Sequence, residues 1–198
     1  GTRAQFGMVR ESELPIAEDY CQRPISLYGI HKQAAENYCR LYRRLFNLKS
    51  IVLRLPQVYG PRLTDKDENR IIDKFITKAL RDEEILVNGY GKDVKDIIYI
   101  DDVADLIIKI LESDVDDGIF NVGCGNRITL LEIAQKIVKL CGSGRLKPVP
   151  FPKEIIKFEL GSFYFDTSKV KKTFDWKPKT AINEGIKKTI EFYRQRAK

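Results

Sequence analysis

Tyr28 and Lys32 stand four residues apart in Leu27-Tyr28-Gly29-Ile30-His31-Lys32. If the stretch opens a helix, both side chains leave the same face, one turn apart. An ammonium so placed favours the phenolate, and such a phenol can take or give a proton near neutral pH. A surface tyrosine beside a surface lysine has the same spacing, so the pair alone does not separate the two meanings. His31 lies inside the stretch but only partly shares that face, and reads as structural or solvent-facing. Asp101-Asp102 places two carboxylates together, which a helix N-cap explains better than acid–base work. The aromatic run Phe163-Tyr164-Phe165 could stack on a base, but an alternating strand face packed into a core fits it better. Cys21, Cys39, Cys124 and Cys141 form no C-x-x-C pair, and the single histidine completes no metal set.

The elements that must position the pair alternate between strand and helix, the pattern of an α/β protein. Ser26 is an N-cap for a helix running to about Phe46, where Asn47 can stop it. Ile30, Ala34, Ala35, Tyr38, Leu41, Tyr42 and Leu45 recur along it at helical spacing. A near-continuous apolar strand follows over 50–55, as in a parallel sheet covered on both faces. The spacing then predicts a helix over 69–80, a brief strand over 85–87 and a strand over 97–100. Asp101 or Asp102 caps a helix to Leu111. A strand over 119–122 precedes a capping-box helix over 129–140, Thr129-Leu130-Leu131-Glu132, broken at Gly142. A short helix over 169–174 and a closing helix over 182–194 end the chain.

A nucleotide-binding α/β protein should show a glycine-rich turn between strand and helix. Three G-x-G triplets occur, at Gly89, Gly123 and Gly142, but Val94, Ile128 and Lys147 stand where the third glycine belongs. Gly123-Cys124-Gly125 reads as a tight turn, and there is no G-x-x-x-x-G-K.

With 198 residues, 43% apolar and 32% charged, the chain has the composition of a globular protein, not of a disordered one. No apolar run is long enough to span a bilayer, so a membrane partner is not expected. The net charge of +7 favours anionic partners. Its lysines and arginines are dispersed, without zinc-finger or RNA-binding spacing, so nucleic acid is not expected either. Unpaired cysteines and the lack of a leader suit a reducing cytoplasm.

Taken together, six segments in register resemble the C-terminal part of the extended short-chain dehydrogenase/reductases, the nucleotide-sugar epimerases and dehydratases. Tyr28-x-x-x-Lys32 is similar to the family's Y-x-x-x-K. Thr2-Arg3-Ala4-Gln5-Phe6-Gly7 resembles S/T-x-x-x-Y/F-G. The run from Arg54 to Arg62, R-L-P-Q-V-Y-G-P-R, resembles R-x-x-N-V-Y-G-P-R. Lys95-Asp96 with Tyr99-Ile100-Asp101-Asp102-Val103 is similar to R-D-F and Y-V-D-D-V. Phe120-Asn121-Val122-Gly123 resembles Y-N-I-G. Trp176-Lys177-Pro178 with Glu184-Gly185 resembles the closing W-x-P and E-G-L. The resemblance covers essentially the whole chain. The family's G-x-x-G-x-x-G half would precede Gly1, so the chain, which starts without methionine, reads as a piece.

The resemblance implies a partial Rossmann fold with a small α/β substrate-binding domain. Residues 1–60 would be the NAD-binding remnant with the Tyr-Lys helix, and 61–198 the nucleotide-sugar domain, with about 96–124 returning to the Rossmann part. It implies NAD as cofactor, a nucleotide-diphosphate sugar as substrate, and a homodimer. Tyr28, Lys32 and Thr2 would be catalytic: the proton relay, its cation on the nicotinamide ribose, and a hydrogen bond to the sugar hydroxyl. Leu55 and Pro56 would line the cofactor; Gln57, Arg62 and Lys95 would bind substrate. Arg3 and Ala4 replace the Asp-Glu pair of the 4,6-dehydratases, which argues against elimination, and Ala4 argues against decarboxylation. C4 epimerisation remains, with an NADP-dependent keto-sugar reductase or a non-catalytic self-associating module as alternatives. The piece alone is expected to be inactive. The diphosphate grip departs from the family: Gln57 replaces asparagine, Lys95 replaces arginine, and Glu159-Leu160-Gly161-Ser162 stands where R-x-G-D is usual. Lys157 or Arg62 could supply the lacking cation.

Overall fold

The computed structural model describes residues 1–61, 70–125, 127–154, 156 and 159–196. In chain order the elements begin with α1 (Leu27–Phe46), β1 (Ser50–Arg54), β2 (Gln57–Tyr59), α2 (Ile71–Leu80) and β3 (Glu84–Asn88). Next come β4 (Val94–Lys95), β5 (Ile97–Tyr99), α3 (Ile100–Leu111), β6 (Asp117–Asn121) and β7 (Ile128–Thr129). The chain closes with α4 (Leu130–Cys141), β8 (Arg145–Val149), α5 (Ser168–Phe174) and α6 (Ile182–Arg196). β1 pairs with β6, β2 with β5 and β3 with β8, all parallel; β4 and β7 pair antiparallel. The parallel pairs are joined through helices, as parallel strands require.

Side chains alternate across a strand, and β1 uses that alternation to hold two different layers. Ile51, Leu53 and Leu55 point to a cluster of Val103 and Leu106 from α3, Phe120 from β6, and Val170 and Phe174 from α5. Arg54, on the opposite face, reaches α1. β1 is less covered than its apolar run predicts. Its residues other than Arg54 are half-buried, and Ile51 and Leu53 open on a groove shared with Ile107, Ile110 and Leu111.

A second layer is closed. Ile85 and Val87 of β3 turn inward while Glu84 and Leu86 turn out. α2, α4 and α6 supply Ile72, Ile76, Ile133, Ile137, Ile186 and Ile190 to the same core. Tyr59 and Tyr99, at the ends of β2 and β5, join it edge-to-face at 5.5 Å. A third cluster, Phe6, Ile16, Phe163 and Phe165, seals the loop region after Thr2. The alternation expected of the aromatic run holds: Phe163 and Phe165 are buried, while Tyr164 turns out under Arg127.

Local signals set both ends of α1 and of α4. Ser26 Oγ accepts the Gly29 N–H, and Asn47 takes the left-handed conformation that ends α1. Thr129 and Glu132 form the expected capping box, and Gly142 ends α4 at φ +76°. The helix expected from Asp101 or Asp102 starts earlier: Tyr99 is the N-cap of α3. Asp102 is buried and accepts the Lys179 and Thr180 N–H groups, tying the segment before α6 onto α3. The predicted start of α2 at residue 69 lies outside the described residues.

Candidate active site

Thr2 precedes a single 3-10 turn, Arg3–Gln5, and bridges in parallel to Leu55, just beyond the end of β1. The opening turn of α1 sits on that same segment. A side chain at Gly29 would overlap the Ala4 carbonyl oxygen, so glycine beside Tyr28 is what permits the approach. Tyr28 and Lys32 share a face as their spacing predicts, with Lys32 Nζ 5.7 Å from the centre of the Tyr28 ring. Both are exposed, and His31 faces solvent.

A buried polar network sets the position of Thr2 against the helix. The Thr2 N–H donates to Gln5 Oε1 at 2.6 Å, and Gln5 Nε2 donates to Glu36 Oε2 at 2.9 Å. Glu36, one turn beyond Lys32, also accepts both Arg54 Nε, at 3.0 Å, and an Arg54 terminal nitrogen. Gln22 and Arg40 donate to its other oxygen. Arg54 and Glu36 are 1% and 2% exposed, so the pair is desolvated and fully partnered. Burial works against the Glu36 charge, but hydrogen bonds from Arg54 and Gln5 outweigh it and hold the carboxyl below its ordinary range. Gln5 and Glu36 escaped the sequence reading because nothing local ties them to each other.

Gln57 and Lys95, expected on the substrate side, sit on the short strands β2 and β4. The Gln57 N–H donates to the Asp96 carbonyl, which joins β2 to the β4–β5 corner. Asp96 itself is buried. Its carboxylate accepts the Cys124 and Phe165 N–H groups, and a side chain at Gly123 would overlap it. The Gly-Cys-Gly segment, expected only as a tight turn, thus wraps a carboxylate of the protein. Burial pushes the Asp96 carboxyl up to about 7 despite these donors, and the Cys124 thiol up to about 12.

Lys95 is buried but already engaged: Nζ lies 3.4 Å from both Glu159 Oε1 and the Gly161 carbonyl, and 3.5 Å from Asp93 Oδ2. Arg3, the residue after Thr2, donates to that same Gly161 carbonyl at 3.2 Å and lies over the Phe163 ring. Burial lowers the Lys95 ammonium, and the nearby Arg3 charge lowers it further. Arg3, which stands where the 4,6-dehydratases carry an aspartate, is a second cation beside Lys95. Arg62 and Lys157 lie outside the described residues. The described residues hold no cluster of metal-ligating side chains.

Parallel strands with helices on both faces, and a Tyr-Lys helix docked on a threonine segment, give an α/β protein with the motif layout of the short-chain dehydrogenase/reductases. Residues 1–123 match the NAD dependent epimerase/dehydratase family, and the chain belongs to it. The UDP-glucose 4-epimerase of Mycolicibacterium smegmatis is 29% identical over 186 residues, covering 92% of this chain and 58% of that protein. The crystal structure of Thermotoga maritima UDP-glucose 4-epimerase with UDP-glucose superposes with a TM-score of 0.86 at 29% identity, over 100% of this chain and 63% of that one. The Thermus thermophilus UDP-glucose 4-epimerase in complex with NAD gives 0.83 at 28%, over 96% and 61%. The chain thus spans about three fifths of these relatives. No described helix is long and apolar enough to cross a membrane.

Proposed function

We propose that this chain carries the proton-relay and sugar-binding part of an NAD-dependent nucleotide-sugar 4-epimerase. The observation that carries the reading is the docking of the Tyr28–Lys32 turn onto the Thr2 segment through Gly29 and the Gln5–Glu36–Arg54 network. The exposed Tyr28 and Lys32, with Thr2 bridged to Leu55, would face the nicotinamide-ribose end of a dinucleotide, and Leu55 and Pro56 would line it. No glycine-rich turn for its pyrophosphate occurs in the sequence.

When bound, NAD would supply reversible hydride acceptance at the sugar carbon. Tyr28 Oη would take the proton of the sugar C4 hydroxyl as that carbon is oxidised and return it on reduction, conserving protons overall. Lys32 would stabilise the phenolate and bind the ribose, and Thr2 would hold the same hydroxyl by a hydrogen bond. Gln57 and Lys95 would orient the diphosphate. Residues 1–60 would serve the cofactor side and 61–198 the sugar, with 96–124 shared. Alone, the 198 residues are proposed to bind nucleotide sugar without turnover. Calorimetry with UDP-glucose and with NAD tests this: UDP-glucose should bind and NAD should not bind tightly. Stoichiometric tight NAD binding, or epimerisation by the chain alone, overturns the claim of inactivity; failure of UDP-glucose to bind overturns the substrate class.

The outward apolar stripe of α1, Tyr38, Leu41, Tyr42 and Leu45, supports a homodimer in which a second copy covers it. Light scattering should give twice the monomer mass, and Leu45→Glu should return it to a monomer. Four free thiols suit a reducing, cytoplasmic setting.

A further inference from the structure

Arg3, Lys95 and Glu159 come from three distant segments and converge on Gly161. Glu159 Oε1 accepts the Leu160 N–H at 3.1 Å, the Gly161 N–H at 3.2 Å and Lys95 Nζ at 3.4 Å. One carboxylate oxygen therefore sits in a nest of two backbone N–H groups and an ammonium, the donor set that suits an anion. Arg3 flanks it, held through one terminal nitrogen to the Gly161 carbonyl. Its Nε is buried and has no partner among the described residues. A buried N–H without an acceptor is costly, and an added oxygen ligand removes that cost.

Charge makes the nest self-occupied. The two cations, Arg3 and Lys95, face two carboxylates, Asp93 and Glu159. Asp93 is tied to Lys95 at 3.5 Å but accepts nothing from the nest N–H groups in the contacts described. Glu159 alone spans all three donors. We propose that Arg3, Lys95 and the Leu160 and Gly161 N–H groups form the anion cradle for the substrate diphosphate, and that Glu159 occupies it until the diphosphate displaces it. This rests on the nucleotide-sugar reading and adds two residue roles: Arg3 as a phosphate ligand and Glu159 as a built-in competitor. A phosphate oxygen would accept the same three bonds, and a second oxygen of the diphosphate would be available to the Arg3 guanidinium. The phosphate charge gains fully from both cations only once the Glu159 carboxylate has swung out.

UDP and uridine titrated by calorimetry into the wild-type chain, Glu159→Gln and Arg3→Met test the proposal. Glu159→Gln keeps the shape and removes the charge, so UDP should bind about tenfold tighter, with a steeper fall in affinity as salt is added. Arg3→Met should weaken UDP by about tenfold, as expected for loss of one charged hydrogen-bonding partner. Uridine, lacking phosphate, should respond to neither change. Circular dichroism checks the fold, and Glu159→Ala repeats the charge removal if the glutamine variant is unstable. Equal or weaker UDP binding in both Glu159 variants, with wild type still binding UDP, overturns the competitor role and leaves the nucleotide-sugar reading standing. Loss of uridine binding in parallel with UDP in Arg3→Met overturns the phosphate role of Arg3. No binding of UDP or uridine to any folded variant overturns both readings together.

Discussion

Two helices of this chain meet their sheets in opposite ways. α4 buries Leu130, Ile133, Ala134, Ile137 and Cys141, and leaves its polar residues outside. α1 is longer, yet its buried residues are Gly29 and Glu36. Its apolar side chains point away from the sheet, with Leu45 59% exposed and Phe46 67% exposed. Hydrophobic burial therefore holds α4 in place. A desolvated, fully hydrogen-bonded ion pair holds α1, which fixes geometry more than it adds stability. The contrast fits a division of labour. The α2–α4–α6 layer buries its own apolar faces, while the Tyr28 helix is held against the Thr2 segment by polar groups and leaves its apolar face exposed.

The largest test of that contrast is Glu36→Ala. It leaves Arg54 charged, buried and without its main partner, and should cost about 3–5 kcal/mol in chemical denaturation. A cost under about 1 kcal/mol would mean that α1 is held by apolar contacts after all. Next is Ile133→Ala in the closed layer, expected to cost about 2–4 kcal/mol by cavity formation.

Acid–base behaviour separates the regions by sign. Glu36 is held below its ordinary 4.5, so its contribution is present above that pH and is lost as pH falls through its lower folded value. Asp96 is raised from 3.8 to about 7, so the folded state binds the extra proton in that window. Its contribution is full below 3.8 and declines as pH rises to about 7. Asp96→Asn should flatten the stability profile between those limits while leaving the acid limb from Glu36. An unchanged slope there would break the assignment to Asp96.

The smallest effect is expected from Leu45→Ala. At a dilution where the chain is monomeric, the change should stay within about 0.5 kcal/mol, as for an exposed position. A loss matching Ile133→Ala would show that the α1 stripe is covered within one chain.

Much of the fold was legible because its signals are local. Ser26, Asn47, Thr129, Glu132 and Gly142 set helix ends by satisfying nearby backbone groups, and those ends fall where expected. Tyr99 did not read as a cap because its side chain makes no capping bond; Asp102, which looked like the cap, is committed to a loop 77 residues away. The Tyr28–Lys32 spacing likewise needed only helix geometry.

The sequence by itself determined the alternation of strand and helix, the order of the motifs, and the shared face of Tyr28 and Lys32. Those follow from turns of 3.6 residues and from caps a few residues apart. Tertiary structure alone decided which side of α1 faces the sheet, because Glu36 needed Arg54, 18 residues on, and Gln5, 31 residues back. It also decided that Arg3, Lys95 and Glu159 share one site. Charges spread over more than 150 residues become neighbours only when the strands that carry them are paired.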